Sequence, residues 1–179
     1  MKIEITKKPR KEFYDEFLFV AGNYKKIKKN PNTKAKLLTN DAKKLYLISM
    51  LFFILFIPAY IKYKDTIYLF IIIIFFFLSV FSIGYYSAIK KRIQLYISTE
   101  ANQVLSITDK GLELKQKNQK VHINWTSIEY IVINKYSICA VPKNPTEIML
   151  SLSNDYKDMF LKAIKKYKKE DLIIDNYKD

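Results

Sequence analysis

Glycine, cysteine, histidine and arginine are all scarce in this chain of 179 residues. Three glycines are too few for a phosphate-cradling loop or a dinucleotide fingerprint. The single cysteine, Cys139, rules out a disulfide within the chain, which agrees with a reducing compartment for the soluble part. His122 is the one histidine, and no second cysteine or histidine stands at metal-ligand spacing from Cys139, so neither a metal site nor a cofactor is expected. Only Arg10 and Arg92 are arginines, so lysine carries almost all of the net charge of +14. Readers of nucleic acid lean on arginine for bidentate base and phosphate contacts, so no nucleic-acid partner is expected. Lys, Ile, Asn, Tyr and Phe are abundant together, which a compositional bias across a genome also produces; a membrane-surface role is the stronger functional reading of the charge.

Charge is absent from two long apolar runs, Leu45 to Ile61 and Thr66 to Ile89. The second extends about 36 Å as a helix, enough to cross a hydrocarbon core of ~30 Å. The first extends about 25 Å and becomes long enough if the helix starts near Thr39 or Asn40, with Lys43, Lys44 and Lys62 snorkelling to the headgroups. A soluble domain of this size has nothing to cover two helices that are apolar all round. Lysines precede the first run in number, and Lys90, Lys91 and Arg92 follow the second directly, whereas the connecting loop holds only Lys62 and Lys64. The positive-inside rule then predicts a multi-pass cell-membrane protein with both termini in the cytosol. The spans contain no acid, base or amide, so the hairpin reads as an anchor rather than a transport path. Gly84 and Ala88 form one small-xxx-small spacing that would let helices approach closely.

Pro9 to Tyr24 has Phe13, Phe17, Val20 and Tyr24 at helical spacing. Such a helix either lies on the inner leaflet or packs on the cytosolic domain. After Arg92 the period changes to two. Strands are predicted at Ile93–Ile97, Val104–Ile107, from Leu112, at Val121–Trp125, Tyr130–Ile133, Ile138–Val141 and Ile148–Leu152. Asp109-Lys110-Gly111 is a turn signal, and Gln116 to Gln119 read as another turn. Ser153 or Asn154 caps a final helix whose apolar stripe is Tyr156, Phe160, Ala163, Ile164 and Tyr167. The predicted organisation is a basic N-terminal segment over 1–38, a transmembrane hairpin over 39–91 with spans at about 43–62 and 66–89, a cytosolic antiparallel β domain closed by a helix over 92–169, and a tail over 170–179. The fold class is therefore α+β, with a membrane hairpin.

The run from Ile107 to Asn144 resembles the YcxB-like family of bacterial membrane proteins. The resemblance is carried by Thr108, Asp109 and Gly111 in a turn between strands, then Trp125 and Ile128 before a β-branched strand, then Pro142-Lys143 after a short strand, and the terminal helix. It implies a small cytosolic domain similar to the pleckstrin-homology fold, with no catalytic residues to carry over. Asn144-Pro145 and the strand after them lengthen the segment beyond Pro142-Lys143 relative to that pattern.

His122 has no local nucleophile or acid to serve, Cys139 sits among apolar neighbours, and Trp125 reads as core. No enzyme is expected. The candidate contact residues for a membrane surface or a partner are Lys165, Lys166, Lys168, Lys169, Lys90, Lys91 and Arg92, with Trp125, Pro142 and Lys143 as motif positions. The expected partners are the lipid bilayer, together with anionic headgroups, a membrane protein or a second copy of the chain. An immunity protein against a bacteriocin, or a stress-response membrane protein, is the alternative reading.

Overall fold

The computed structural model describes residues 1–6, 8–99, 103–116 and 119–177. Its elements run β1 (Lys2–Ile5), α1 (Lys11–Gly22), α2 (Tyr24–Lys29), α3 (Leu38–Tyr63), α4 (Thr66–Thr99), β2 (Gln103–Ile107), β3 (Gly111–Gln116), β4 (Gln119–Asn124), β5 (Ile128–Ile133), β6 (Ser137–Pro142), β7 (Leu150–Ser153), α5 (Lys157–Lys166) and β8 (Ile173–Asp175). They divide into two compact units. One joins Met1–Ala35 to Leu95–Asp179, and the other is Lys36–Gln94. The helical hairpin is thus inserted in the chain between β1 and β2.

In the hairpin unit α3 and α4 are both long and apolar enough to cross a membrane. Only 6% and 11% of their most apolar windows are buried, whereas a helix in the core of a soluble protein would be mostly buried. Ile54, Phe70, Phe77 and Phe81 are among the large apolar side chains left outside. Lys64 ends α3 in the left-handed region at φ 52°, its N–H bonded to the Tyr60 carbonyl at 2.7 Å. The Asp65 carboxylate then caps α4 by accepting from the Ile67 N–H at 2.9 Å. Phe52 stacks on Phe75 across the two helices, with ring centroids 4.0 Å apart. Three of the serines turn their hydroxyls onto the helix backbone. Ser49, Ser79 and Ser82 are buried and donate to the carbonyls of Leu45, Phe75 and Leu78 one turn back. Gly84 has open space where a Cβ would stand, so the small-xxx-small spacing marks no close approach within the hairpin.

The other unit is built on two four-stranded sheets, in the orders β1-β2-β3-β4 and β7-β6-β5-β8. All pairings are antiparallel except β5 with β8, which is parallel. Ile3, Ile107, Leu112, Ile131, Ile133 and Ile138 meet between the sheets. Helix α5 adds Phe160, Ala163 and Ile164 to this core, as its apolar stripe requires. The Ser153 hydroxyl accepts from the Asp155 N–H at the entry to that helix. The outer face of the second sheet is covered as well. Helix α1 lies along β6, and Phe13, Tyr14, Phe19 and Val20 are buried. This settles the open choice for α1 in favour of packing on the β unit. It also explains why β5 shows no clean alternation. Ile131 and Ile133 face the core between the sheets, while Tyr130 and Val132 are buried on the other side.

Three sequence expectations change. Residues 93–97 are not a strand; α4 continues through Thr99. An established helix propagates one bond per residue, and no glycine or proline interrupts it between Gly84 and Gly111. The tail contains β8, which extends the second sheet, and Asn176 donates to the Pro31 and Thr33 carbonyls at 2.9 and 3.2 Å. The N-terminal segment contributes β1, whose Ile3 lies opposite Leu105. In addition β7 begins at Leu150, leaving Ile148 exposed outside it. Of the turn expected over Gln116 to Gln119, Lys117 and Asn118 lie outside the described residues.

Candidate functional site

Thr108, Gly111 and Trp125 meet at the turn between β2 and β3. The Thr108 N–H donates to the Gly111 carbonyl at 3.0 Å, and the Thr108 hydroxyl lies 3.3 Å from the N–H groups of Lys110 and Gly111. Trp125 closes this turn. Its backbone N–H donates to the Lys110 carbonyl and its indole N–H to the Thr108 carbonyl at 3.0 Å. Gly111 is needed here for proximity, since a Cβ would stand 2.0 Å from the Ile123 carbonyl oxygen across the β3–β4 ladder. Trp125 is buried, in keeping with a core role.

Pro142 and Lys143 form a corner at the end of β6. The Lys143 N–H donates to the Ser127 carbonyl at 2.8 Å. From the other side the Tyr24 hydroxyl shares its hydrogen between the Pro142 and Lys143 carbonyls, at 2.8 and 2.7 Å. Lys28 donates to the same Lys143 carbonyl at 2.5 Å. The corner is therefore fastened to α2 by two side chains more than a hundred residues away in sequence.

A cleft opens on each side of this corner. The smaller, about 330 Å³, is lined by Trp125, Ile128, Glu129, Lys143, Lys169 and Asp171. It brings together three of the residues the sequence singles out, Trp125, Lys143 and Lys169. Two carboxylates share its wall with two ammonium groups, so its charge is mixed. The larger, about 570 Å³, lies between the α1–α2 corner and the β6–β7 loop. Ala21, Tyr24, Pro142, Pro145 and Met149 give it an apolar floor, with Lys25, Lys26 and Glu147 also lining it. The segment after Pro142-Lys143 supplies one of its walls. A turn from the Glu147 N–H to the Asn144 carbonyl, at 3.2 Å, shapes that segment.

The remaining candidates are dispersed. Lys165, Lys166 and Lys168 are exposed at the end of α5, and Lys169 is half-buried. Lys168 takes a left-handed φ of 52° and the Lys169 N–H reaches back to the Ile164 carbonyl, a helix-ending turn that splays these lysines. Lys90, Lys91 and Arg92 are exposed on α4 and belong to the hairpin unit. His122 is held by its neighbour, Nε2 lying 2.9 Å from Asn124 Oδ1 on an exposed face. Cys139 is fully buried, and burial pushes its thiol up to about 12, away from the reactive thiolate.

Sequence reasoning missed Tyr24, Lys28, Glu147 and Met149. Tyr24 read as part of an apolar stripe and Lys28 as one of a basic run, and nothing local ties either to the β6 corner. It also missed Glu16. This carboxylate is buried, and one of its oxygens accepts from the Tyr136 N–H at 2.9 Å and the Ser137 hydroxyl at 2.8 Å. Burial raises its pKa, these hydrogen bonds oppose the rise, and neighbouring Asp15 adds to it.

No family model, curated protein or solved structure matches this chain.

Proposed function

We propose that the chain is a multi-pass protein of the cell membrane, anchored by the α3–α4 hairpin with both termini in the cytosol, that presents its β unit as a non-catalytic binding module. The observation that carries this reading is the outward apolar surface of two helices in which the buried hydroxyls of Ser49, Ser79 and Ser82 are bonded within their own helix. Hydrocarbon accepts such a surface and water does not. The excess of lysine on both flanks over the segment Lys62–Asp65 at the hairpin tip supports the orientation.

The pleckstrin-homology-like and YcxB-like readings draw support from two sheets closed by a C-terminal helix and from the Thr108–Gly111–Trp125 turn. A non-catalytic role is supported by what the two reactive side chains do. His122 is engaged by Asn124 on an exposed face, and Cys139 is buried with a raised pKa. Two preformed clefts beside the Pro142-Lys143 corner offer binding surface instead. Exposed Lys165, Lys166 and Lys168 gain about 1 kcal/mol each if they approach an anionic leaflet.

Carbonate extraction of membranes from cells expressing the full chain tests the anchor. The chain is expected to remain with the lipid pellet. Release into the supernatant, together with a soluble marker, would overturn the anchored reading.

A further inference from the structure

We propose that the free edge of β7 is a self-association surface, where β7 of one chain pairs antiparallel with β7 of a second copy about a two-fold axis at Leu150. This rests on the reading of the β unit as a membrane-anchored binding module and names its partner.

The two sheets end in four edge strands, β1, β4, β7 and β8. An edge is normally blunted by charge or brevity, because its unpaired backbone accepts any extended chain. Three of these edges follow that rule. β1 exposes Lys2 and Glu4, β4 carries Lys120, and β8 has three residues, with Asp175 paired to Lys157 at 2.9 Å. β7 does not follow it. From Ile148 to Ser153 the chain reads Ile-Met-Leu-Ser-Leu-Ser, without a charge or a proline.

The backbone of β7 is set to receive a strand. The Asn154 N–H reaches the Tyr136 carbonyl at 3.0 Å, continuing the register of the Ser137–Ser153 pair. Bonding alternates along an antiparallel strand. Leu150 and Leu152 therefore bond to β6, and Ser151 and Ser153 turn their N–H and carbonyl groups away from it. Met149 continues the outward series. The side chains also stop short at this edge. Ile148 has the parity of Leu150 and Leu152, whose side chains enter the core, yet it is 58% exposed. Leu150 and Leu152 line a narrow crevice between the sheets with Leu105 and Phe160. An added strand would cover both Ile148 and the mouth of this crevice.

Charge and register select a second copy as that strand. β7 has no charge with which to select a foreign acidic segment. At a net charge of +14 two copies repel, so they can meet only where the contact itself is uncharged. Pairing about Leu150 sets Ile148 opposite Leu152 and Met149 opposite Ser151, and Glu147 falls opposite Ser153. Moving the axis to Ser151 would set Glu147 opposite Asp155, two like charges. Moving it to Met149 would set Pro145, which has no N–H, opposite Ser153. The axis at Leu150 thus places apolar against apolar and keeps the outward backbone groups paired. Anchoring in one membrane raises the local concentration of the partner.

The test is disulfide cross-linking in membranes from cells expressing two differently tagged full-length chains, one with Met149→Cys and the other with Ser151→Cys. The native Cys139 is buried and is kept. Directly opposite bonded residues have Cα atoms about 5.5 Å apart, within disulfide reach. The mixed pair should therefore cross-link on mild oxidation. Either variant alone should cross-link poorly, since its two cysteines are offset along the strands, and so should Lys120→Cys on β4. Adding Ile148→Lys to both chains should cut the mixed product about tenfold or more, because it replaces an apolar side chain that pairing buries. Equal yields from the mixed pair, the single variants and Lys120→Cys would overturn the proposal as random collision. Cross-linking of Ser151→Cys to another protein in place of the second copy would overturn it in favour of a foreign strand. Carbonate extraction of the same membranes reads the anchor separately. Absence of the mixed product in chains that stay with the lipid overturns the pairing alone, and the mixed product in chains that are released upholds the pairing and overturns the anchor.

Discussion

The indole N–H of Trp125 donates to the carbonyl oxygen of Thr108 at 3.0 Å, joining the start of the β4–β5 connection to the β2–β3 turn. The start of β3 and the end of β4 are thereby fixed relative to one another. Trp125→Phe removes the donor and part of the buried ring while keeping an aromatic core residue. It is expected to cost about 1–3 kcal/mol, since a carbonyl loses its partner as well as some packing. Thermal unfolding of the detergent-solubilised chain measures this. An unchanged midpoint would show that the turn is held without the indole.

Glu16 gives the stability of the β unit a pH dependence of definite sign. Its pKa in the folded chain is raised above the ordinary 4.5, so the folded state holds a proton there that the unfolded state has already lost. Stability from this group is therefore highest at low pH and declines as pH rises from about 4.5 through the raised value. Glu16→Gln keeps an oxygen acceptor for Tyr136 and Ser137 and removes the titration. The variant should lack that component of the decline, whatever its absolute stability. Denaturant midpoints measured across the range from pH 4 upward would test it, and parallel slopes for the two proteins would assign the pH dependence to other groups.

Much of the fold is legible in local pattern. The two apolar runs are helices, the alternating segments from Val104 to Leu152 fall on strands, and the stripe from Tyr156 to Ile164 is buried. What escapes the sequence is what depends on distant partners. Lys2–Ile5 is too short to stand as a strand until β2, a hundred residues on, pairs with it. Ile173–Asp175 is likewise a strand only beside β5. Residues 93–97 alternate like a strand, but the helix already growing from Thr66 captures them and runs on to Thr99. The candidate site divides in the same way. Trp125, Pro142, Lys143 and Lys169 are visible as motif or charge, and they do line the two clefts. Tyr24 and Lys28, which join α2 to the corner, have no signature of their own, because their role lies in two carbonyls more than a hundred positions away.

The hairpin orientation is tested most directly by labelling single cysteines in intact cells with a membrane-impermeant maleimide. Cys139 is first replaced by Ser to remove the one native thiol, and a cysteine is then placed either at Lys62 at the end of α3, beside the hairpin turn, or at Lys110 on the exposed β2–β3 turn. With both termini in the cytosol, Lys62→Cys should label in intact cells and Lys110→Cys only after the membrane is permeabilised. Labelling of Lys110→Cys in intact cells, with Lys62→Cys protected, would contradict the orientation.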